Sequence, residues 1–115
     1  MHTKGTSSCF LSVERGKQQG QVYELHQEVV KIGRACGNDF RLDDPTVSQL
    51  HARIVRLEDG TYGVQDMRSA NGVAVNSHAL GMGSIQPLYD GDRIHLGEVT
   101  LLFHKQPQGP APQAS

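Results

Sequence analysis

The chain has no tryptophan, and its three phenylalanines and three tyrosines bring the aromatic share to only 5%. A core must therefore be mainly aliphatic, and little is available for stacking nucleobases. No charge sign dominates: eleven Lys and Arg stand against twelve Asp and Glu, for a formal net charge of −1. That balance lacks the global field that draws proteins to nucleic acid or to anionic membranes, so neither is expected as a partner and any anion must be recognised locally. Apolar runs such as Val99–Phe103 fall far short of the roughly 20 residues of a membrane span. The polar start, Met1-His2-Thr3-Lys4-Gly5-Thr6-Ser7-Ser8, lacks the apolar centre of a secretory signal, so the chain reads as soluble and cytoplasmic. Cys9 and Cys36 are too few and too widely separated for a disulfide framework or a metal knuckle, and both are expected as small, inert, buried hydrophobes. The six histidines, at 2, 26, 51, 78, 95 and 104, are not spaced or clustered as a metal site requires, and no metal or cofactor is expected.

What the sequence does have is glycine, thirteen in 115 residues, between short apolar runs rich in Val and Ile. That is the rhythm of an all-β sandwich or barrel, and the length suits one domain. No window shows a clean helical period. Strands are expected at Phe10–Arg15, Gln21–Leu25, Val29–Gly33, Asp39–Leu42, His51–Leu57, Tyr62–Asp66, Val73–Val75, Arg93–Leu96 and Val99–His104. Alternation is clearest at Tyr62, Val64, Asp66 and at Val99, Leu101, Phe103, where every second residue can face a core. Turns are expected at Asp59-Gly60, Asn71-Gly72 and Leu96-Gly97-Glu98, where glycine supplies positive φ. From Gln106 onward the prolines and absence of core-forming residues read as a linker or tail. The expected organisation is a flexible start at 1–8, a domain at 9–105 and a Pro-rich segment at 106–115, one piece of a longer polypeptide.

The polar residues that could carry chemistry sit just before or after apolar strands, where a rigid scaffold presents loops to a ligand. Arg34 follows the strand end Ile32-Gly33, and a guanidinium can fork two hydrogen bonds onto a phosphate. Its alternative is a surface ion pair with Asp39 or Asp43. Ser48 could donate its hydroxyl to an anion and Gln49 could add an amide, although a turn serine is the ordinary reading. His51, opening a strand, suits a ring bonded to loop backbone better than a base or a metal ligand. Asn71-Gly72 suits a tight turn, yet the six residues between Asp66 and Val73 leave Asn71 free to present an amide to a peptide backbone.

Taken in order, Gly33-Arg34, Asn38-Asp39, Ser48-x-x-His51, Asp66, Ser69-x-Asn71-Gly72, Val75-Asn76, Gly91-Asp92 and Gly97 resemble the forkhead-associated (FHA) domain, over about Val29 to Phe103. The resemblance implies an eleven-stranded β-sandwich of two largely antiparallel twisted sheets, with ligand loops at one end that bind phosphothreonine in an extended peptide. It implies that Arg34 and Ser48 contact the phosphate with Gln49 beside them, that Asn71 grips the peptide backbone, and that Gly33, His51 and Gly72 hold the loops in shape. The implied role is a signalling or scaffold module, not an enzyme, whose partner is a Ser/Thr kinase or a kinase substrate. Two positions differ from the commoner pattern: Gln49 stands where Arg or Asn is frequent, and Ala70 where Thr often precedes Asn-Gly. Hydrogen bonds to charged groups contribute roughly 1.5–3 kcal/mol each, so a missing peripheral donor weakens such a site without abolishing it.

Two other readings compete. The same loops or a sheet face could bind an unmodified protein or a neighbouring domain. Alternatively Ser48, His51 and Asp66 could form a hydrolase triad, although Ser48 lacks the Gly-x-Ser-x-Gly setting of a nucleophile elbow.

Overall fold

The computed structural model describes residues 7–107, so the expected terminal segments 1–8 and 106–115 lie outside the described residues except for Ser7, Ser8, Gln106 and Pro107. Eleven strands form two sheets: β1 Ser7–Arg15, β2 Val22–Leu25, β3 Val29–Gly33, β4 Phe40–Arg41, β5 Ala52–Arg56, β6 Tyr62–Asp66, β7 Val73–Val75, β8 His78–Ala79, β9 Ile85–Pro87, β10 Arg93–Leu96 and β11 Val99–Pro107. The six-stranded sheet runs β2-β1-β11-β10-β7-β8 and the five-stranded sheet β4-β3-β5-β6-β9. Every pairing is antiparallel except β3 with β4. Among the described residues no helix is long and apolar enough to cross a membrane.

Period-two alternation decides which side of each sheet is buried. Leu11 and Val13 on β1, Ile32 on β3, Ile54 on β5, Val64 on β6 and Leu101 with Phe103 on β11 all point into the shared core. Tyr62, Val64 and Asp66 are buried, as are Val99, Leu101 and Phe103, as their alternation predicts. Phe40 stacks on Tyr23 with ring centroids 5.1 Å apart, so one of the few aromatic pairs closes the β2–β4 side.

Two strands have no counterpart in the nine expected from residue pattern. Both residues of β8 are exposed, and β9 reads exposed, intermediate, exposed and ends in a proline. These two edge strands bury no side chain in the core and so show no alternation. The eleven strands implied by the family resemblance are all present. At the chain ends, Ser7 pairs with Pro107, carrying the β1–β11 ladder two residues past each boundary of the 9–105 domain. Cys9 is buried, but Cys36 is exposed in the β3–β4 connection, which corrects the expectation that both pack inside. A loop between two short paired segments offers a small thiol no apolar cavity to fill.

Candidate functional site

Four connections, β3–β4, β4–β5, β6–β7 and β10–β11, are tied together by hydrogen bonds at one end of the sandwich. The β3–β4 connection leaves Gly33 with the Arg34 N–H bonded to the Ser48 carbonyl at 2.9 Å and the Ala35 N–H bonded to the Gln49 carbonyl at 3.2 Å. The Asn38 side-chain amide adds a donor to the Gln49 carbonyl at 2.6 Å and to the Ala35 carbonyl at 3.0 Å. A Cβ on Gly33 would overlap that same Gln49 carbonyl, so only glycine lets the two loops approach this closely. The part of Gln49 that shapes the site is therefore its backbone, while its side chain is exposed.

Arg34 is held by one nitrogen. Its Nε donates to the Val47 carbonyl at 3.0 Å, and neither terminal guanidinium nitrogen bonds another group among the described residues. The ion pairs weighed for it do not form. Asp39 accepts from the Lys31 N–H at 2.8 Å and from Gln27, and Asp43 faces Lys17 and Arg41. The Lys31 N–H and Gln27 hold the Asp39 carboxyl below its ordinary range.

Ser48 lies between two loops. Its Oγ accepts the Ala70 N–H at 3.0 Å, and its own N–H donates to His51 Nδ1 at 3.0 Å. The Ser48 hydroxyl proton has no acceptor among the described residues and remains available as a donor. Ala70, which cannot offer a side-chain donor, thus contributes its backbone N–H to the serine. His51 is fully buried, and its Nε2 sits 2.7 Å from the Gly72 carbonyl. Because that carbonyl can only accept and Nδ1 must accept from Ser48, the ring is the neutral Nε2–H tautomer. Burial holds its pKa below the ordinary value, which agrees with that neutral form.

These contacts also decide the triad. Both ring nitrogens of His51 serve backbone groups, and Asp66 Oδ1 accepts from the N–H and Oγ of Ser69 at 3.0 and 2.7 Å. Neither the nucleophile–base bond nor the base–acid bond of a hydrolase is present. The three residues are structural neighbours with other tasks.

Asn71 is exposed, and its Nδ2 donates to the Thr46 carbonyl at 2.7 Å, which leaves Oδ1 as an acceptor with no partner among the described residues. Gly72 follows with φ 77°, so it carries the turn assigned to it. The sequence assigns Thr46 no individual role beyond its place in the loop before Ser48, yet it links three of the four connections. Its N–H and Oγ1 donate to Asp44 Oδ1 at 2.8 and 2.5 Å, its Oγ1 accepts the Glu98 N–H at 2.8 Å, and its carbonyl holds Asn71. Those two donors hold the Asp44 carboxyl below its ordinary range. A signal was present: Asp44-Pro45-Thr46 has the same spacing as Asp59-Gly60-Thr61, whose threonine bonds Asp59 in the same way.

An all-β sandwich whose end loops gather a half-free arginine, a serine hydroxyl and an asparagine amide around a buried histidine is the architecture of a peptide-recognition domain. The FHA domain family matches residues 30–97, more than half of the sequence, and the chain belongs to that family. It is similar to the glycogen accumulation regulator GarA of Mycolicibacterium smegmatis, with 36% identity over 103 residues, 90% of this chain and 63% of that protein. The chain therefore spans less than two thirds of that relative's length. Its fold is similar to the solved FHA domain of an Arabidopsis thaliana hypothetical protein, with TM-score 0.84, 32% identity and coverage of 97% and 98% of the two chains. It is also similar, at TM-score 0.77, 32% identity and coverage of 88% and 99%, to an FHA domain solved in a study of phosphothreonine-dependent FHA domain interactions.

Proposed function

We propose that this domain docks a phosphothreonine-bearing segment of another protein across the four joined connections. The observation that carries the reading is the pairing of Arg34, anchored through Nε with its terminal nitrogens unpartnered among the described residues, with the unspent hydroxyl proton of Ser48. A phosphothreonine brings about −1.5 to −2 charges and three acceptor oxygens at neutral pH, which suits a guanidinium fork and a hydroxyl donor. Asn71 Oδ1 and its neighbouring backbone are placed to accept from an extended peptide, and Gly33, His51 and Gly72 set the loop geometry. Family membership and the similarity to a domain studied for phosphothreonine-dependent interactions support the same reading.

The role is binding and regulation, with no catalytic step. The partner is a Ser/Thr kinase or a kinase substrate, met in the cytoplasm, where an exposed free thiol such as Cys36 is compatible with a reducing environment. Arg34→Ala is expected to weaken binding of a phosphothreonine peptide by more than about tenfold, the scale of a lost charge-assisted hydrogen-bond pair. Arg34→Lys restores only part of it, because an ammonium cannot fork. Fluorescence anisotropy with matched phosphothreonine, phosphoserine and unmodified peptides checks this; equal affinity for the unmodified peptide would overturn it.

A second reading has an observation of its own. Met82, Ile85 and Tyr89 are 70%, 45% and 68% exposed on and beside the edge strand β9. Protein contact there would not depend on phosphate and would survive Arg34→Ala.

A further inference from the structure

Two residues other than glycine hold positive φ among the described residues, Arg68 at 60° and Asn76 at 57°. Asn76 has evident reasons. Asparagine tolerates this region, and its side chain bonds the Arg93 N–H at 3.0 Å and Asp92 at 3.1 Å. Arg68 has none of these. Arginine gains nothing locally from a left-handed backbone, and its guanidinium has no hydrogen-bond or ion-pair partner among the described residues. Arg41, Arg56 and Arg93 each pair with a carboxylate, and Arg53 bonds Gln65.

The strained backbone is held from both sides. The Met67 N–H donates to the His51 carbonyl at 3.0 Å, the Ser69 N–H and Oγ donate to Asp66, and the Ala70 N–H donates to Ser48 Oγ. Arg68 is therefore fixed at the exposed tip of the β6–β7 connection, two residues from an atom that touches Ser48. Two residues of chain span at most about 7 Å, and an extended peptide advances about 3.3 Å per residue. A long side chain on this tip reaches the residues flanking whatever sits on Arg34 and Ser48.

We infer that Arg68 is a specificity-determining residue, selecting phosphopeptides that carry a second anionic side chain within about three residues of the phosphothreonine. The inference rests on the phosphothreonine reading and deepens it. Arg34 is anchored by Nε to backbone and addresses the phosphate; Arg68 is free at its tip and addresses the flank. Its strain is tolerated because the neighbouring bonds fix the loop regardless of the residue at position 68, and the charge it presents there is the gain.

The test is binding of phosphothreonine peptides in which Glu or Gln occupies each of the three positions on either side in turn, with a phosphoserine arm at the preferred position. The wild-type domain is expected to favour Glu over Gln at one or two positions by about two- to fivefold, the range of an exposed ion pair, with the preference shrinking as salt rises. Arg68→Gly should bind the Gln peptides as well as wild type does, lose the Glu preference and unfold at a higher temperature, since glycine relieves the backbone. Arg68→Glu should reverse the preference. Phosphothreonine binding that depends on Arg34 but is indifferent to flanking charge would overturn the role of Arg68 alone. No phosphothreonine binding in any arm would overturn both readings together.

Discussion

At His51 a single buried ring sets the position of the serine that the phosphate reading depends on. Its Nδ1 accepts the Ser48 N–H and its Nε2–H donates to the Gly72 carbonyl, so it spans the β4–β5 and β6–β7 connections. Protonation would put a second N–H against the Ser48 N–H and break the first contact. The direction of the pH effect follows. Burial lowers the pKa in the folded state, so the unfolded chain takes up the proton first, and stability falls as pH drops below about 6.5, down to the depressed folded value. Asp39, Asp44 and Asp59 have lowered pKa values, so the stability they contribute is lost only in more acidic solution, as pH falls through those lowered values. Urea denaturation at pH 7.5 and 5.5 is expected to show a loss in the wild type that His51→Gln removes; an equal loss in the variant would refute the assignment. The histidine's backbone-bonded role was legible from its place at the opening of a strand. Its tautomer was not, because that depends on which carbonyl lies opposite.

Among the elements, the β10–β11 turn contributes to the site although its sequence suggested only a hairpin. Gly97 has φ 62°, and a Cβ there would overlap both the carbonyl and Oγ1 of Thr46. The turn is pressed against the residue whose carbonyl holds Asn71. Gly60, with φ 87°, meets nothing within 4 Å, so it separates the two effects. Gly60→Ala is expected to cost about 1 kcal/mol of stability from backbone strain alone. Gly97→Ala should cost about 2–4 kcal/mol, since strain and overlap combine. Only Gly97→Ala should also weaken phosphopeptide binding, because it displaces Thr46 and with it Asn71. Chemical denaturation and anisotropy on the two variants read both quantities, and matched losses of binding would sink the argument.

Over the whole molecule, one aliphatic core between the sheets keeps the four connections in fixed relation. β11 lies between β1 and β10, and its Leu101 is fully buried facing the other sheet. Leu101→Ala is expected to cost about 3–5 kcal/mol, from lost transfer energy and a residual cavity, against a total of about 5–15 kcal/mol for a domain. Tyr89→Ala, at an exposed position, should change stability by less than about 0.5 kcal/mol. A denaturant midpoint measurement on the pair checks the contrast. Where Leu101→Ala remains folded it should bind the phosphopeptide normally, since the core positions the loops without touching them.

The sequence by itself determined the all-β class, nine of the eleven strands and the turn glycines, because each follows from alternation or backbone freedom within a few neighbouring residues. It also singled out Arg34, Ser48, His51 and Asn71, whose order and spacing carry the family resemblance. Tertiary structure alone decided the rest, since it depends on residues far apart in the chain. Edge strands β8 and β9 have no buried face to impose a pattern, and Cys36 is exposed because of where its loop lies. Thr46 became a junction only when Asn71 and Glu98, 25 and 52 residues away, were folded onto it. Arg34 was released from Asp39 and Asp43 because Lys31, Lys17 and Arg41 reached those carboxylates instead, a competition that only three-dimensional proximity can settle.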